Sequence, residues 1–185
     1  MPRYFRCLWY DETARSPRDA GHPLYVYPRQ GAGRVDDPKH EYRVLYAGDT
    51  AAGAVAEAFG DHATWTRALL LPPPQLPNAY RAIVEYDIPA TVCDLDDGAR
   101  LVDLRLRPSE VVRADRRRTQ RWARAIYDRG AYDGVSWWSR RDSRWASTGL
   151  WAHDGAAVVD VMVLFRLDYP AVAEAAATLR RRVER

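Results

Sequence analysis

The sequence VLYAGDTAAGAVAEAFG, at residues 44–60, predicts a strand that leads directly into a helix. Residues 43–47 are apolar and rich in side chains that favour strands. The run that follows consists almost wholly of Ala, Val, Gly and Phe, as expected of a helix packed into a protein core. Glu57 is the only charged residue inside that helix. A carboxylate in such a helix requires an explanation.

Two interpretations of Glu57 follow from the helical period. At about 100° per residue, Glu57 lies opposite the large apolar residues and shares a stripe with Thr50, Gly53 and Gly60. A glycine inside a helix costs about 1 kcal/mol relative to alanine, so Gly53 indicates close approach by another group. Either this stripe faces a ligand, or Glu57 is an ordinary solvent-facing charge. The helix ends do not distinguish the two, since Asp49 or Thr50 can cap the start and Gly60 can end it.

The rest of the chain predicts strands and helices in irregular order, which is typical of an α+β protein. Residues 1–41 are interpreted as irregular chain with one short strand at LYVY, residues 24–27. Further strands are expected at 81–88, 91–95, 132–138 and 156–165, the last of them buried, and further helices at 109–129 and 171–185. Basic residues in the last turns of the C-terminal helix would complement its dipole.

The composition indicates one folded domain, which we assign to residues 1–185. Hydrophobic residues make up 47% of the chain and aromatic residues 11%, which excludes a disordered chain of low hydrophobicity. No apolar run approaches the roughly 20 residues that span a bilayer, and the N-terminus lacks the apolar core of a signal peptide. We therefore expect a cytoplasmic protein.

Several common kinds of site find no support in the motifs. Cys7 and Cys93 are isolated and the four histidines lack the spacing of metal ligands, so no metal is expected. GAGR, at residues 31–34, is too short for a dinucleotide fingerprint or a phosphate loop. No Gly-x-Ser-x-Gly elbow occurs either.

Three further residues carry candidate chemistry, each with an ordinary alternative. Arg34 lies in a glycine-bracketed loop, where its guanidinium can bind a phosphate unless it is simply a surface arginine. Tyr46 ends the first strand, either as core packing or with its hydroxyl at a site. Ser139 follows a predicted strand, where its hydroxyl either holds a ligand or belongs to an ordinary turn.

The positive charge of the chain suggests a different class of function. The formal net charge is +3, and every base except Lys39 and the histidines is arginine. RADRRRTQRWARA at 113–125 and WWSRRDSRW at 137–145 mix Arg with Trp, which is compatible with a basic module that binds nucleic acid or another partner. A solvated Arg-rich helix explains the same pattern.

Four segments, in order, resemble the RES domain, the toxin half of the RES–Xre toxin–antitoxin systems. They are GAGR at 31–34, the strand and Ala-rich helix at 44–60, YDGVSWWSRRDS at 132–143 and STGLWA at 147–152. The match covers about residues 31–165. The resemblance implies an ADP-ribosyltransferase-like fold, which is α+β with a mixed core of two small sheets and surrounding helices.

The resemblance also implies an activity, the cleavage of the nicotinamide–ribose bond of NAD⁺ by hydrolysis or phosphorolysis. NAD⁺ would be the substrate, and no cofactor is expected. The residues that the resemblance assigns to catalysis or substrate binding are Arg34, Tyr46, Gly53, Glu57, Ser139 and Ser147. Ser147 departs from the pattern, because many members of the family have an asparagine there.

Each residue has an implied role. Glu57 would bind a ribose hydroxyl and stabilise the positive charge that develops on the sugar. Arg34 would hold the phosphates, and Tyr46 would pack against nicotinamide or ribose. Ser139 would position the ribose or Glu57, and Gly53 would leave room for the dinucleotide.

The resemblance implies a protein partner as well, a cognate Xre-like helix-turn-helix antitoxin. Nucleic acid would then be reached through the antitoxin, which also allows a homo-oligomer built through it. A second enzymatic reading is ADP-ribosyl transfer from NAD⁺ to a protein or nucleic acid acceptor.

Overall fold

The computed structural model describes residues 2–184 and has an α+β fold. In chain order the strands are β1 Arg3–Tyr10, β2 Leu45–Gly48, β3 Thr64–Trp65, β4 Tyr80–Asp87, β5 Val92–Asp94, β6 Gly134–Trp138, β7 Ala146–Leu150, β8 Ala157–Val163 and β9 Arg182–Val183. The helices are α1 Ala51–Phe59, α2 Gly98–Asp103, α3 Pro108–Val111, α4 Arg116–Tyr127 and α5 Pro170–Thr178, with a 3₁₀ turn at Arg67–Leu70.

The described chain divides into two compact units. The first takes residues 2–25, 47–88 and 156–184, and the second takes 26–46 and 89–155. The division falls within β2, between Tyr46 and Ala47.

The first unit is built on an antiparallel sheet whose long central pair is β1 and β4. These strands pair over their whole length, from Arg3 opposite Asp87 to Tyr10 opposite Tyr80. β2 joins β1 where Gly48 lies opposite Phe5, and β8 runs antiparallel to β4. Helices α1 and α5 pack together, and α1 also packs on β1. The core of this unit therefore lies between the sheet and α1.

The expectation of irregular chain over residues 1–41 is wrong at its start, where β1 forms eight residues of strand. The predicted short strand at residues 24–27 does not form. β1 forms because it pairs along its whole length with β4, which is distant in sequence. In the region of the expected short strand, the carbonyl oxygens of Pro23 and Tyr25 accept hydrogen bonds from the Arg6 guanidinium at 3.1 and 3.3 Å. These bonds satisfy a charged side chain within the strand and engage the carbonyls of the loop without a second strand.

The strand expected at 156–165 forms as β8, but the prediction that it is buried is wrong. Val158, Val159 and Met162 are exposed, because β8 is the last strand in the order of its sheet. A continuous apolar run is compatible with burial but does not require it.

The second unit contains a small mixed sheet covered by helices. β5 and β6 are parallel, whereas β6 and β7 form an antiparallel hairpin. α4 packs on both α3 and β6. The buried side chains of this core are Val35, Tyr42, Val44, Cys93, Leu95, Leu101, Val111, Trp122, Ala123, Ile126, Val135 and Trp137.

The single helix expected at 109–129 is instead two helices, α3 and α4. The Asp115 carboxylate accepts a hydrogen bond from the Arg117 backbone N–H at 3.1 Å and so caps the start of α4. A capping side chain at this point begins a new helix and ends continuity with the preceding one. The prediction also missed the short helix α2.

The C-terminal helix is shorter than expected and excludes the basic residues that follow it. α5 ends at Thr178, and Arg180 adopts a positive φ of 52°. Arg182 and Val183 then form β9, which pairs in parallel with β3. The arginines therefore do not lie in the last turns of the helix, and the predicted interaction with its dipole is wrong. The other predicted elements form within two residues of their expected bounds. They are the strands at 43–47, 81–88, 91–95 and 132–138 and the helix within residues 44–60.

Candidate functional site

Glu57 projects to solvent from a helix that is otherwise nearly enclosed. Val55 is 0% exposed and Phe59 is 1% exposed, whereas Glu57 is exposed. This separation follows from the helical period and agrees with the predicted position of Glu57 opposite the large apolar residues. The side chain thus lies at the surface of the first unit.

The start of α1 has the predicted polar cap. The Thr50 hydroxyl oxygen accepts a hydrogen bond from the Gly53 backbone N–H at 3.0 Å, so Thr50 rather than Asp49 is the cap. Gly60 follows the last residue of the helix, as expected. Gly53 itself is buried, so its role as space for a dinucleotide stays a prediction.

The local sequence around Glu57 occurs a second time in the same unit. AVAEA spans residues 54–58 in α1 and 171–175 in α5. In both copies the valine is 0% exposed and the glutamate is exposed. Helix geometry alone therefore does not separate Glu57 from Glu174, and Glu174 is a matched control for it.

In the second unit, the Gly–Arg loop of residues 31–34 is organised around the buried carboxylate of Asp36. The Asp36 Oδ2 atom accepts hydrogen bonds from the backbone N–H groups of Gly31 and Gly33, both at 2.7 Å. The Tyr46 hydroxyl donates to the other oxygen, Oδ1, at 2.6 Å. One carboxylate thus fixes two amides of the loop and the tyrosine at the end of the predicted strand.

The backbone carbonyl groups of the Gly–Arg loop accept hydrogen bonds from helix α4. The Gln120 side-chain amide donates to the carbonyl oxygens of Gly31 and Gly33, each at 2.9 Å. Gly33 has no room for a side chain, because a Cβ there would overlap the Tyr46 hydroxyl and the Asp36 carboxylate. The loop is therefore tightly fitted between Asp36, Tyr46 and Gln120.

Tyr46 is a half-buried residue that makes two hydrogen bonds through its hydroxyl. Besides donating to Asp36, the hydroxyl accepts from the Val35 backbone N–H at 3.0 Å. Burial, and after it the hydrogen bond to Asp36, raises the pKa of Tyr46 well above that of an ordinary tyrosine. The hydroxyl therefore stays protonated and acts as a fixed donor to Asp36.

Arg34 is buried, with 8% of its surface exposed. Its Nη1 atom donates to the carbonyl oxygens of Val111 and Arg113, at 2.7 and 2.8 Å. These carbonyls lie at the end of α3 and in the connection to α4, so Arg34 orders that connection. The alternative of a surface arginine is wrong, and the role of Arg34 in phosphate binding stays a prediction.

Ser139 lies in the turn between β6 and β7 and is also buried, at 4% exposure. Its hydroxyl oxygen accepts from the Arg141 backbone N–H at 3.0 Å, and its own N–H donates to the Trp145 carbonyl oxygen at 2.7 Å. These contacts give Ser139 the turn role that was the ordinary alternative. Ser147 lies on β7, opposite Trp137 of β6.

The structure brings several predicted site residues together within the second unit. Val35, which follows Arg34, packs so closely on β7 that a Cβ at Gly149 would lie 2.5 Å from the Val35 Cγ2 atom. The Gly–Arg loop, Tyr46 and the strand of Ser147 are therefore parts of one packed unit. Glu57 and Gly53 belong to the first unit.

Sequence reasoning missed Asp36 and Gln120, and for Gln120 a signal exists. Gln120 falls on the apolar face of α4 together with Trp122, Ala123 and Ile126. A polar side chain on the buried face of a helix indicates a specific hydrogen-bond partner, because unpaired buried polar groups are rare. For Asp36, the signal is an acidic residue directly after a glycine-rich loop, where carboxylates often accept backbone N–H groups.

Two features of the described residues concern metal binding and membranes. Across residues 2–184, His, Cys, Asp and Glu side chains do not form a group of three or more that could hold a metal ion. In the same part of the chain, every helix is too short or too polar to cross a bilayer.

Comparison with known proteins agrees with the fold and identifies the family. A chain from the crystal structure of the M. tuberculosis MbcT–MbcA toxin–antitoxin complex superposes with a TM-score of 0.61 at 13% sequence identity, covering 96% of this chain and 88% of that one. This likeness confirms the expected α+β fold. Comparison with curated proteins gives no match. The model of the RES domain matches residues 8–179, and the chain therefore belongs to the RES domain family.

Proposed function

We propose that this protein is a toxin enzyme that degrades NAD⁺ by cleaving its nicotinamide–ribose bond. Two findings support the proposal, the membership of the RES domain family over residues 8–179 and the likeness of fold to a chain of a toxin–antitoxin complex. The observation that carries it is Glu57, an exposed carboxylate on a helix of small and buried residues. NAD⁺ is the substrate in this reaction and is consumed by it.

The reaction places a specific demand on the protein. As the bond from the ribose C1′ atom to the nicotinamide nitrogen breaks, its electron pair leaves with nicotinamide, which becomes neutral. Positive charge then develops on C1′ and the ring oxygen, and the transition state resembles an oxocarbenium ion. Water adds to C1′ and loses a proton in hydrolysis, whereas phosphate adds in phosphorolysis.

We assign the stabilisation of this positive charge to Glu57. A carboxylate that accepts a hydrogen bond from a ribose hydroxyl stabilises the sugar more strongly as positive charge develops on it. The interaction is therefore stronger in the transition state than in the ground state, which is the condition for catalysis. One turn before Glu57 on the helix lie Gly53 and Ala54, which carry no bulky side chain.

We assign substrate binding to residues of the second unit. Arg34 would contact a phosphate with its guanidinium while Nη1 stays bonded to two backbone carbonyls. Tyr46 would contribute its ring to the packing of nicotinamide or ribose while its hydroxyl stays bonded to Asp36. Ser139 and Ser147 would contribute hydroxyl groups to ribose positioning, with Ser139 also fixing the β6–β7 turn.

We propose in addition that a cognate antitoxin neutralises the enzyme. The structure with a similar fold is that of a toxin bound to its antitoxin, and an enzyme that consumes NAD⁺ damages the cell that makes it. Co-expression with a candidate helix-turn-helix antitoxin, followed by purification of a complex, tests this part separately from the chemistry.

The activity is tested by incubating the purified chain with NAD⁺ and measuring free nicotinamide. We expect release by the wild type and a decrease of about 100- to 1000-fold for Glu57→Gln, the usual effect of removing one contact to developing charge. Glu174→Gln is the matched control, because it removes an exposed glutamate from the same pentapeptide in α5. An inactive wild type, or equal effects of the two substitutions, would overturn the proposal.

A second measurement separates degradation from ADP-ribosyl transfer. NAD⁺ labelled in the adenylate part is incubated with the enzyme and a cell lysate. Label recovered as ADP-ribose or its 1′′-phosphate is the expected result. Label retained on protein or nucleic acid, and lost in Glu57→Gln, would assign the chain to the transferases.

A further inference from the structure

Positive charge is concentrated in one segment of the second unit. Residues 105–121 contain seven arginines and two carboxylates, so this segment has a surplus of five positive charges, whereas the whole chain has a surplus of three. The remainder of the chain is accordingly net negative. Such a local surplus produces a field that attracts polyanions.

The structure separates the arginines that are paired from those that are not. Arg124 is engaged by Asp37, Glu41 and Asp128, at 3.4, 2.6 and 2.7 Å. Arg118 lies 3.6 Å from Asp115 and 4.0 Å from Glu110. Arg117 and Arg121 are exposed and form no ion pair with any residue between 2 and 184. These two guanidinium groups therefore contribute no ion pair to the fold of residues 2–184.

Three exposed arginines lie together on one side of α4. Arg117 and Arg121 are one helical turn apart, and Arg118 lies beside them on the same exposed arc, opposite the buried residues Thr119 and Ala123. We call Arg117, Arg118 and Arg121 the basic face. The only other residue of this arc within the helix body is Ala125, so the basic face lacks the large apolar or aromatic side chain on which protein interfaces usually depend.

We propose that the basic face binds the phosphate backbone of a nucleic acid. Arginine binds phosphate through paired N–H donors, and an array of exposed arginines without apolar anchors, of which only Arg118 has carboxylate neighbours, matches a repeating anion better than it matches a protein surface. α4 has 12 residues and is about 18 Å long, a length along which a duplex presents about ten phosphate charges. The inference does not depend on the NAD⁺ activity, since none of the three arginines is assigned to it.

The test measures binding of the full-length protein to two fluorescent probes of mixed sequence, a DNA duplex and a single-stranded RNA of equal length. Anisotropy is recorded as the KCl concentration rises from about 50 to about 200 mM. Three phosphate contacts predict a slope of log K against log salt of about −3 for duplex and about −2 for single strand. The probe that binds more tightly identifies the kind of nucleic acid.

Single substitutions then locate the contacts. Arg117→Ala and Arg121→Ala should each reduce the magnitude of the slope by about one. Arg18→Ala is the control, because Arg18 is an exposed arginine of the first unit, and it should leave the slope unchanged. The thermal unfolding midpoint of each variant is measured to confirm that the fold is retained.

Three results would overturn the inference. They are absence of binding to both probes at the lowest salt, equal loss of binding in the Arg18 and Arg117 variants, and displacement of the probes by an equal charge concentration of polyglutamate. The last result would show that the basic face takes acidic protein segments instead. Because nicotinamide release is not part of this test, its outcome is separate from that of the proposed enzymatic function.

Discussion

The Tyr46 hydroxyl and the Asp36 carboxylate are joined by a hydrogen bond of 2.6 Å, and this pair connects the end of a predicted strand to the Gly–Arg loop. Asp36 is 3% exposed, so its charge is stabilised by neighbouring donors and not by water. The donors are the Tyr46 hydroxyl and the N–H groups of Gly31 and Gly33. The position of Arg34 therefore depends on a carboxylate two residues further along the chain.

Removing the hydroxyl of this pair should destabilise the fold. Tyr46→Phe deprives Asp36 of one donor and the Val35 N–H of its acceptor. We expect the free energy of unfolding, measured with urea, to fall by about 1 to 3 kcal/mol, the usual cost of leaving buried polar groups unpaired. Tyr80→Phe is the control, since Tyr80 is 45% exposed, and its effect should stay within about 0.5 kcal/mol. Equal effects would show that the hydrogen bond has no net value.

The two glycines of the Gly–Arg loop should respond oppositely to a methyl group. In Gly33→Ala the new Cβ would overlap Tyr46 and Asp36, whereas a Cβ at Gly31 meets nothing within 4 Å. We expect Gly33→Ala to cost more than about 2 kcal/mol, as displaced core groups do. Gly31→Ala should be neutral or stabilising by up to about 1 kcal/mol, because alanine restricts the unfolded chain. Urea denaturation of both variants checks this, and a milder effect at Gly33 than at Gly31 would contradict the described geometry.

Asp37 should make stability sensitive to acid. Burial by itself raises the pKa of Asp37, but N–H donation from Lys39 and Glu41 and the charge of Arg124 outweigh it, so the pKa is lowered. A lowered pKa means that the folded state holds the ionised form more firmly than the unfolded chain does. The resulting stability is present above the unfolded pKa of about 4 and is lost as the pH falls through the lower folded value.

The urea midpoint of the wild type should therefore decrease as the pH falls from about 5 to about 3, the range in which carboxyl groups titrate. Asp37→Asn should show a smaller decrease, because the residue no longer titrates. Asp96→Asn, which alters an exposed aspartate of the same unit, should retain the wild-type decrease. A pH dependence that is identical in all three proteins would exclude Asp37 as its source.

Helix α1 could be predicted from the sequence because every determinant is local. The cap at Thr50, the end at Gly60 and the outward position of Glu57 depend on residues within one or two turns. The same rules placed β4 and β6. Where residues close in sequence determine the local backbone geometry, the sequence pattern was sufficient to predict the element.

Elements that depend on distant partners could not be predicted in the same way. The carbonyls of Pro23 and Tyr25 stabilise Arg6 within β1, and the sequence RYFRCLWY does not predict these two hydrogen bonds. Asp115 divides the predicted helix at 109–129 in two, although the apolar period continues across it. Asp115 therefore outweighs the apolar pattern at α4, whereas β1 depends on its pairing with β4, which is distant in sequence.

The candidate site shows the same limit. The substrate-binding roles of Arg34 and Tyr46 stay predictions, and their hydrogen-bond partners within the fold lie up to 79 residues away. Glu57 and Glu174 occupy the same position in two copies of the pentapeptide AVAEA, and both are exposed. Only the resemblance to a family therefore distinguishes them. Which of the two glutamates supports catalysis is a question of chemistry that the local sequence does not contain.

Arg34→Lys should separate the structural role of Arg34 from its proposed role in substrate binding. Arginine Nη1 donates to the carbonyl oxygens of Val111 and Arg113, and a lysine ammonium can replace those bonds but not the planar fork. We expect unfolding to become easier by about 1 kcal/mol. If Arg34 also binds a phosphate, the KM for NAD⁺ should rise about tenfold while kcat changes less, since phosphate is bound equally in the ground and transition states.

The control for this experiment is Arg121→Lys, an exposed arginine of the same unit, which should change neither stability nor KM. A variant at position 34 that loses stability but keeps the wild-type KM would show that Arg34 serves only the connection between α3 and α4. The reverse result, a raised KM with unchanged stability, would show that the two carbonyl hydrogen bonds contribute little and that the guanidinium is held for the substrate. Because the two readouts respond to different atoms of one side chain, each outcome assigns Arg34 a definite role.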